Sequence, residues 1–266
     1  MKEKTLLGSL RVMLLSFEVQ LRQNLTDGFV LFGILVQPLL VAFMALWMLK
    51  DKGPDHAIFV VIGSGLTGLW TTLLFDGGNS ITGERWNGTL EPLVGSPSSM
   101  RLIVFGKVLA SITQSLLSMV GCYTLISLIM GYPLTILHPG LFIGSVILTV
   151  FALVCFGLIM ASLFILIRDI GRMINTLEFP VYILCGFLFP IALLPGWTTP
   201  ISYLLSPYWA AQALHGATSG TISVNKILFA WAMMITFSLA YILLSEGLYR
   251  KILYRARVDA SLDTQG

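Results

Sequence analysis

The sequence predicts an all-α polytopic membrane protein, and three observations predict it. Hydrophobic residues fill 56% of the 266 positions, charged residues only 11%, and mean hydropathy is +0.87. A soluble domain carries about 25% charged residues, so this composition excludes a disordered chain, a nucleic-acid-coating protein and an ordinary cytosolic enzyme. Six apolar stretches approach the roughly 20 residues that a helix needs to cross hydrocarbon. Finally, the basic residues alternate between successive loops, which sets an orientation.

An arm comes first. In residues 5–26, Leu6, Leu10, Leu14, Phe17, Leu21 and Leu25 recur at steps of three or four, while Arg11, Glu18 and Arg22 share another face. Residues 1–27 are therefore expected to form an amphipathic helix in the cytoplasmic interface. Residues 28–249 carry six expected transmembrane helices, at 28–49, 57–75, 108–130, 140–167, 179–194 and 227–247. None has a charge near its centre. Glu178 and Glu246 fall at span edges, within reach of the interface. Residues 250–266 are a short tail. The first apolar run lies too far along a charged arm for a cleavable signal peptide, so the first span is expected to act as the insertion signal.

Thirteen of the 16 Lys and Arg residues lie in the arm, in the loops after spans two and four, and in the tail. Lys50, Lys52 and Lys226 are all that the other loops hold. The positive-inside rule then places both termini in the cytoplasm of a multi-pass protein of the cell (plasma or inner) membrane.

The loop after span two is the longest, and it mixes Glu84, Arg85 and Glu91 with Trp86, Leu90, Leu93 and Val94, punctuated by Pro92 and Pro97. Such a mixture suits docking of a soluble partner, and a plain connector of this length is uncommon. The run Glu84-Arg-Trp-Asn-Gly-Thr-Leu-Glu-Pro-Leu-Val-Gly-Ser-Pro97, followed by Lys107, resembles the permease subunits of type-2 ABC exporters of the drug, antibiotic or polysaccharide kind. Phe187-Leu-Phe-Pro190, Leu194-Pro-Gly-Trp197 and Leu205-Ser-Pro-Tyr-Trp209 resemble that family's later Phe-Pro, Leu-Pro and Asn-Pro elements, with Ser206 in place of the usual Asn.

The resemblance implies a coupling helix in this loop. Glu84, Arg85, Gly88, Thr89, Leu90 and Glu91 would contact the partner ATPase, with Gly88 allowing close backbone approach and Thr89 capping the helix. It also implies short re-entrant helices between spans five and six, with Phe187, Pro190, Pro195, Trp197 and Pro207 at a gate or exit. An ordinary outer loop anchored by aromatic side chains is the alternative there. The implied assembly is two ABC ATPase copies with a second permease copy or a related permease. ATP and Mg would sit on the ATPase, and no cofactor on this chain.

Other signals carry less. Gly63-Ser-Gly65-Leu-Thr-Gly68 matches a dinucleotide fingerprint, but it lies inside a span with no preceding soluble strand, so close helix packing explains it better. The sequence contains no G-x-x-x-x-G-K-[ST], so the ATPase is expected on a separate polypeptide. Ser111, Ser115, Ser118 and Cys122 form one stripe, and Gly63, Thr67 and Thr71 another. Both are read as packing faces ahead of a polar path. Gln37 before Pro38 is a polar, kink-prone point. His56, His138 and His215 read as scattered outer-loop residues, and Cys122, Cys155 and Cys185 as small packing residues. The triplets at Asn24 and Asn87 match a glycosylation acceptor but fall on the cytoplasmic side.

Because no Lys or Arg lies within the spans, hydrophobic or amphipathic cargo (a drug, antibiotic or lipid-like molecule) is favoured, with polysaccharide or glycolipid as the alternative. A membrane-embedded lipid-modifying enzyme would need grouped acids, histidines or a metal site, which the sequence does not offer. A non-catalytic anchor explains the spans but leaves the charged loop without a purpose.

Overall fold

A computed structural model describes residues 2–49, 54–78, 83–84, 88–89, 93, 99–130, 136–166, 170–220 and 222–258. Helix α1 spans Lys2–Thr26. Asp27 separates it from α2, Gly28–Leu31, and caps that helix by accepting the Val30 N–H at 3.3 Å. The chain continues through a π-helical segment, Phe32–Val36, into α3, Gln37–Leu49. Proline explains the π segment. Pro38 has no N–H to give and its ring crowds the preceding turn, so the ladder widens just before it, where the Gln37 N–H bonds back to Phe32.

Helix α4, Pro54–Thr72, opens on a proline and runs into a second π segment, Leu73–Gly78. Helix α5 covers Met100–Met130, starting where the Ser99 carbonyl accepts the N–H of Leu102. Helix α6 is Pro139–Leu166 and α7 is Ile170–Leu184. Two short 3-10 turns follow, then α8, Thr199–Tyr203, and α9, Ser206–Ser219, each with proline in its first turn. Gly220, at φ 64°, ends α9 in the left-handed conformation, and a side chain there would also strike Leu137. Helix α10, Val224–Val258, runs 35 residues without a break.

Four helices among the described residues are long and apolar enough to cross a membrane: Ile58–Gly77, Met100–Leu125, Pro139–Phe164 and Val224–Arg250. The first expected span is helical throughout but divided among α2, the π segment and α3. The fifth is shifted. Expected at 179–194, its helix is α7, which begins at Ile170 and stops at Leu184, where the chain turns through Gly186 at φ 67°. Its first turns hold polar Arg172, Asn175 and Thr176, which an apolar count passes over. The third span starts at Met100 rather than 108, so Lys107 lies two turns inside α5. The expected tail begins as the last turns of α10.

Helix α5 packs between α4 and α6, while α6 and α9 both pack on α10. Trp70, Phe164, Phe187 and Leu66 are among the fully buried side chains. Close backbone approach organises the contacts. Gly63 lies against the Phe187 carbonyl, Gly65 against the Met119 side chain, and Gly68 against Pro38, so all three glycines of the fingerprint-like run are packing residues. The indole of Trp231 on α10 lies over Gly144 on α6 and donates to Ser145 Oγ at 2.9 Å.

Helix α1 lies along α5, with Gly106 against the Met13 carbonyl. The most deeply buried side chains of α1, among those described, are polar. Gln20 and Asn24 are buried, whereas Leu10, Leu14, Leu15, Val19 and Leu25 are exposed. Glu18 and Arg22 pair at 2.6 Å on the outside.

Candidate functional site

The site is built where α1, the second π segment and the start of α5 meet. Its frame is a chain of amides. Gln20 Nε2 donates to Asn24 Oδ1 at 2.7 Å, and Asn24 Nδ2 reaches Asp76 Oδ2 at 3.3 Å and Ser111 Oγ at 3.2 Å. Buried amides must be partnered, and these partners come from three separate parts of the sequence. Asn24 is only 2% exposed, which removes it as a glycosylation acceptor.

The loop after the second π segment is anchored from inside. Lys107, buried in α5, donates its Nζ to Glu84 Oε1. The Thr89 hydroxyl donates to the other carboxylate oxygen of Glu84, and the Thr89 N–H to the Glu84 carbonyl at 2.9 Å. Gly88 supplies the reversal between them at φ 68°. Within the chain nothing lies within 4 Å of where its Cβ would be, so it is the backbone conformation that calls for glycine here. Burial pushes the Glu84 carboxyl up, but the hydrogen bonds from Lys107 and Thr89 and the Lys107 charge outweigh it, and the net direction is down from 4.5. The Leu93 N–H bonds to the Thr89 carbonyl at 3.3 Å, one helical step, and the Leu93 side chain packs on the core.

Of the six loop residues singled out from sequence, Glu84, Gly88 and Thr89 are thus brought together. Glu84 turns its carboxylate inward, and Thr89 bonds back to it. Arg85, Leu90 and Glu91 lie outside the described residues.

Two cavities adjoin this frame. The larger, about 670 Å³, is lined by Gln20, Asn24, Asp27, Asp76, Glu84 and Lys107, among others. The smaller, about 180 Å³, is lined by Phe32, Gly33, Gln37, Thr71, Thr72 and Glu178, among others. Val30, Phe75 and Asp76 line both. Glu178 was expected at a span edge facing the interface. It is instead buried, because α7 begins nine residues earlier than expected and carries it inside, where Thr71 Oγ1 donates to it at 2.9 Å and the Tyr182 hydroxyl at 2.7 Å. Ser111, Ser115, Ser118, Thr67 and Thr71 are all buried, as packing faces are. The side chain of Cys122 lies outside the described residues, and Cys155 and Cys185 are free and buried.

The expected gate residues divide. Phe187 and Pro207 are buried, while Pro190, Pro195 and Trp197 are exposed, Trp197 at 72%. A third cavity, about 240 Å³, lies beside Phe187 and is lined by Phe59, Cys185, Pro190, Tyr208, Gln212 and His215, among others. His215 is not a loop histidine. It is buried on α9, stacked on Phe59 with ring centres 3.8 Å apart, and its Nε2 lies 3.1 Å from the Phe187 carbonyl oxygen. His138 is exposed, and the side chain of His56 lies outside the described residues.

Sequence reasoning missed Asp76, Asn24 and Gln20 as a joined group. Their signal was present as polar residues at one end of apolar helices, but their meeting spans 52 and 87 residues of chain. No curated protein matches the chain. Residues 13–219 match the family model described as ABC-2 type transporter, a stretch holding α2 to α9, most of α1 and the whole of the site. The chain belongs to the ABC-2 type transporter family, as the membrane-embedded permease subunit of an ABC transporter.

Proposed function

We propose that this permease works as an exporter of hydrophobic or amphipathic molecules. It would have six spans and both termini in the cytoplasm, and it would be driven by two copies of a separate ATPase and paired with a second permease. The anchored loop carries the reading. Glu84 joins it to Lys107 two turns inside α5, so a displacement of residues 83–93 pulls on a helix packed against α1, α4 and α6. A docking ATPase that moves this loop would therefore move spans two and three together. Because Glu84 is turned inward, its part is to hold the loop in shape. The outward contact would fall to its neighbours in the same loop.

The experiment is affinity purification of the tagged chain from its own membrane in mild detergent, with mass spectrometry of what accompanies it. A stoichiometric P-loop ATPase, lost when Glu84→Lys and Gly88→Pro are combined, supports the reading. Recovery of the chain alone under conditions that preserve complexes refutes it.

A further inference from the structure

The third cavity has an unmet acceptor in its wall. His215 lines it and is only 6% exposed. The Phe187 carbonyl oxygen, 3.1 Å from Nε2, can only accept, so it fixes the tautomer with the ring proton on Nε2. Burial against Phe59 penalises a charge on the ring. Nδ1 is then a bare lone pair, and among the described residues nothing donates to it. Its neighbours on α9 are provided for. Gln212 Nε2 donates to the Tyr208 hydroxyl at 2.9 Å, and the Thr218 and Ser219 hydroxyls donate to the His215 carbonyl at 3.0 and 2.7 Å. A buried acceptor left without a donor is costly, and this one borders open space.

The rest of the wall is largely apolar. Phe59, Ile191, Ala211 and Ile222 contribute to it, and Pro190 and Ala192, which also line it, are exposed and form a rim. Leu193 and Trp197, next along the chain, are 75% and 72% exposed. An apolar rim with an exposed indole suits the outer membrane interface, so an occupant enters past hydrocarbon. An apolar cavity of about 150 Å³ is enough for benzene. At about 240 Å³ this one has room for a single substituted ring.

We propose that this cavity binds an uncharged, ring-sized apolar molecule carrying a hydroxyl, of the phenol class, whose O–H donates to His215 Nδ1 while its ring lies against Phe59, Ile191 and Ile222. The site selects by hydrogen-bond sense. An ether or ketone of the same size has no hydrogen to give, and a plain hydrocarbon leaves Nδ1 unmet. The site lies within one chain and does not depend on the export reading.

4-Fluorophenol and 4-fluorotoluene test this, being alike in size and different in the donor. Fluorine NMR titrations of the full chain in lipid nanodiscs, with empty nanodiscs subtracted, read the saturable binding of each. Saturable binding of the phenol is expected. His215→Phe keeps a ring beside Phe59 and removes the acceptor, so it should weaken the phenol about tenfold and change the toluene by no more than about twofold. Ala211→Leu adds bulk at the cavity wall with His215 untouched, and should weaken both compounds about tenfold. It decides the matter should His215→Phe, which takes the donor from the Phe187 carbonyl, fail to fold. Absence of saturable phenol binding assigns Nδ1 to water alone and overturns the site. Equal losses of phenol and toluene in His215→Phe, or phenol binding unchanged in Ala211→Leu, overturn it too.

Discussion

Replacing Lys107 with Met, or Glu84 with Gln, should separate an anchored loop from a loose one. The two side chains are 6% and 13% exposed, so the pair is largely desolvated. At an effective dielectric near 20, charges about 3 Å apart attract by about 5 kcal/mol, and dehydrating the two ions costs a similar amount. The intact pair therefore adds little net stability. Removing one partner strands the other, at a cost of about 3 kcal/mol. The double substitution strands nothing and should cost no more than either single change, which gives a coupling of about 3 kcal/mol. Equilibrium unfolding of the full chain in lipid–detergent micelles measures all four forms.

The pH dependence has a fixed sign. Glu84 titrates below its ordinary value of 4.5 in the folded chain. Its contribution is complete above 4.5 and is lost as pH falls through the lower folded value. Glu84→Gln should abolish that part of the acid slope. Additive single substitutions, or an unchanged slope, would refute the reasoning.

Further outcomes follow from other contacts. Gly63→Leu drives a side chain into the Phe187 carbonyl and should destabilise by about 3 kcal/mol, whereas Gly65→Ala meets only the flexible Met119 and should cost about 1 kcal/mol; thermal melts of the two variants should rank in that order. Asn24→Leu takes the donor from Asp76 and Ser111 and the acceptor from Gln20, and should lower stability by about 2 kcal/mol, with Asn24→Asp failing to rescue it. A lone reactive cysteine at the exposed Ser99 should be labelled by an impermeant reagent only in opened cells or inside-out vesicles. Labelling in intact cells would invert the proposed orientation.

What the sequence made legible was set by local pattern. Apolar runs located the helices, although the prolines at positions 54, 139, 200 and 207 that open four of them, and Gly220 that ends one, were not read as boundaries. The i,i+4 pair of Glu246 and Arg250 forms at 2.9 Å because both residues lie on one helix face. Boundaries drawn from hydropathy failed where a helix begins in polar residues, as α7 does, and this misplaced Glu178. The site was legible only in its loop. Glu84, Gly88 and Thr89 are neighbours in sequence, and their turn chemistry can be read there. Asn24, Asp76 and Ser111 meet only through tertiary packing, and no spacing announces it. His215 looked like a loop residue because its helix follows a proline-rich stretch and opens on Pro207, yet packing on α4, α6 and α10 buries it.

The inverted packing of α1 bears on how the chain is made. Leu10, Leu14, Leu15 and Leu25 face outward and Gln20 and Asn24 inward, yet Asp76 and Ser111, two of the three partners of Asn24, are synthesised 52 and 87 residues later. While the ribosome is still producing α5, the arm can rest on the membrane surface with its leucines toward lipid and Gln20 and Asn24 toward water, so neither face is left unsatisfied. In the interfacial arrangement expected from the sequence, α5 then brings Ser111 to the amides in place of water, and the exposed leucines stay where they were. Docking then requires dehydrating a narrow polar face rather than turning the helix over. The arm can wait for its partner, already oriented, from the moment it leaves the ribosome.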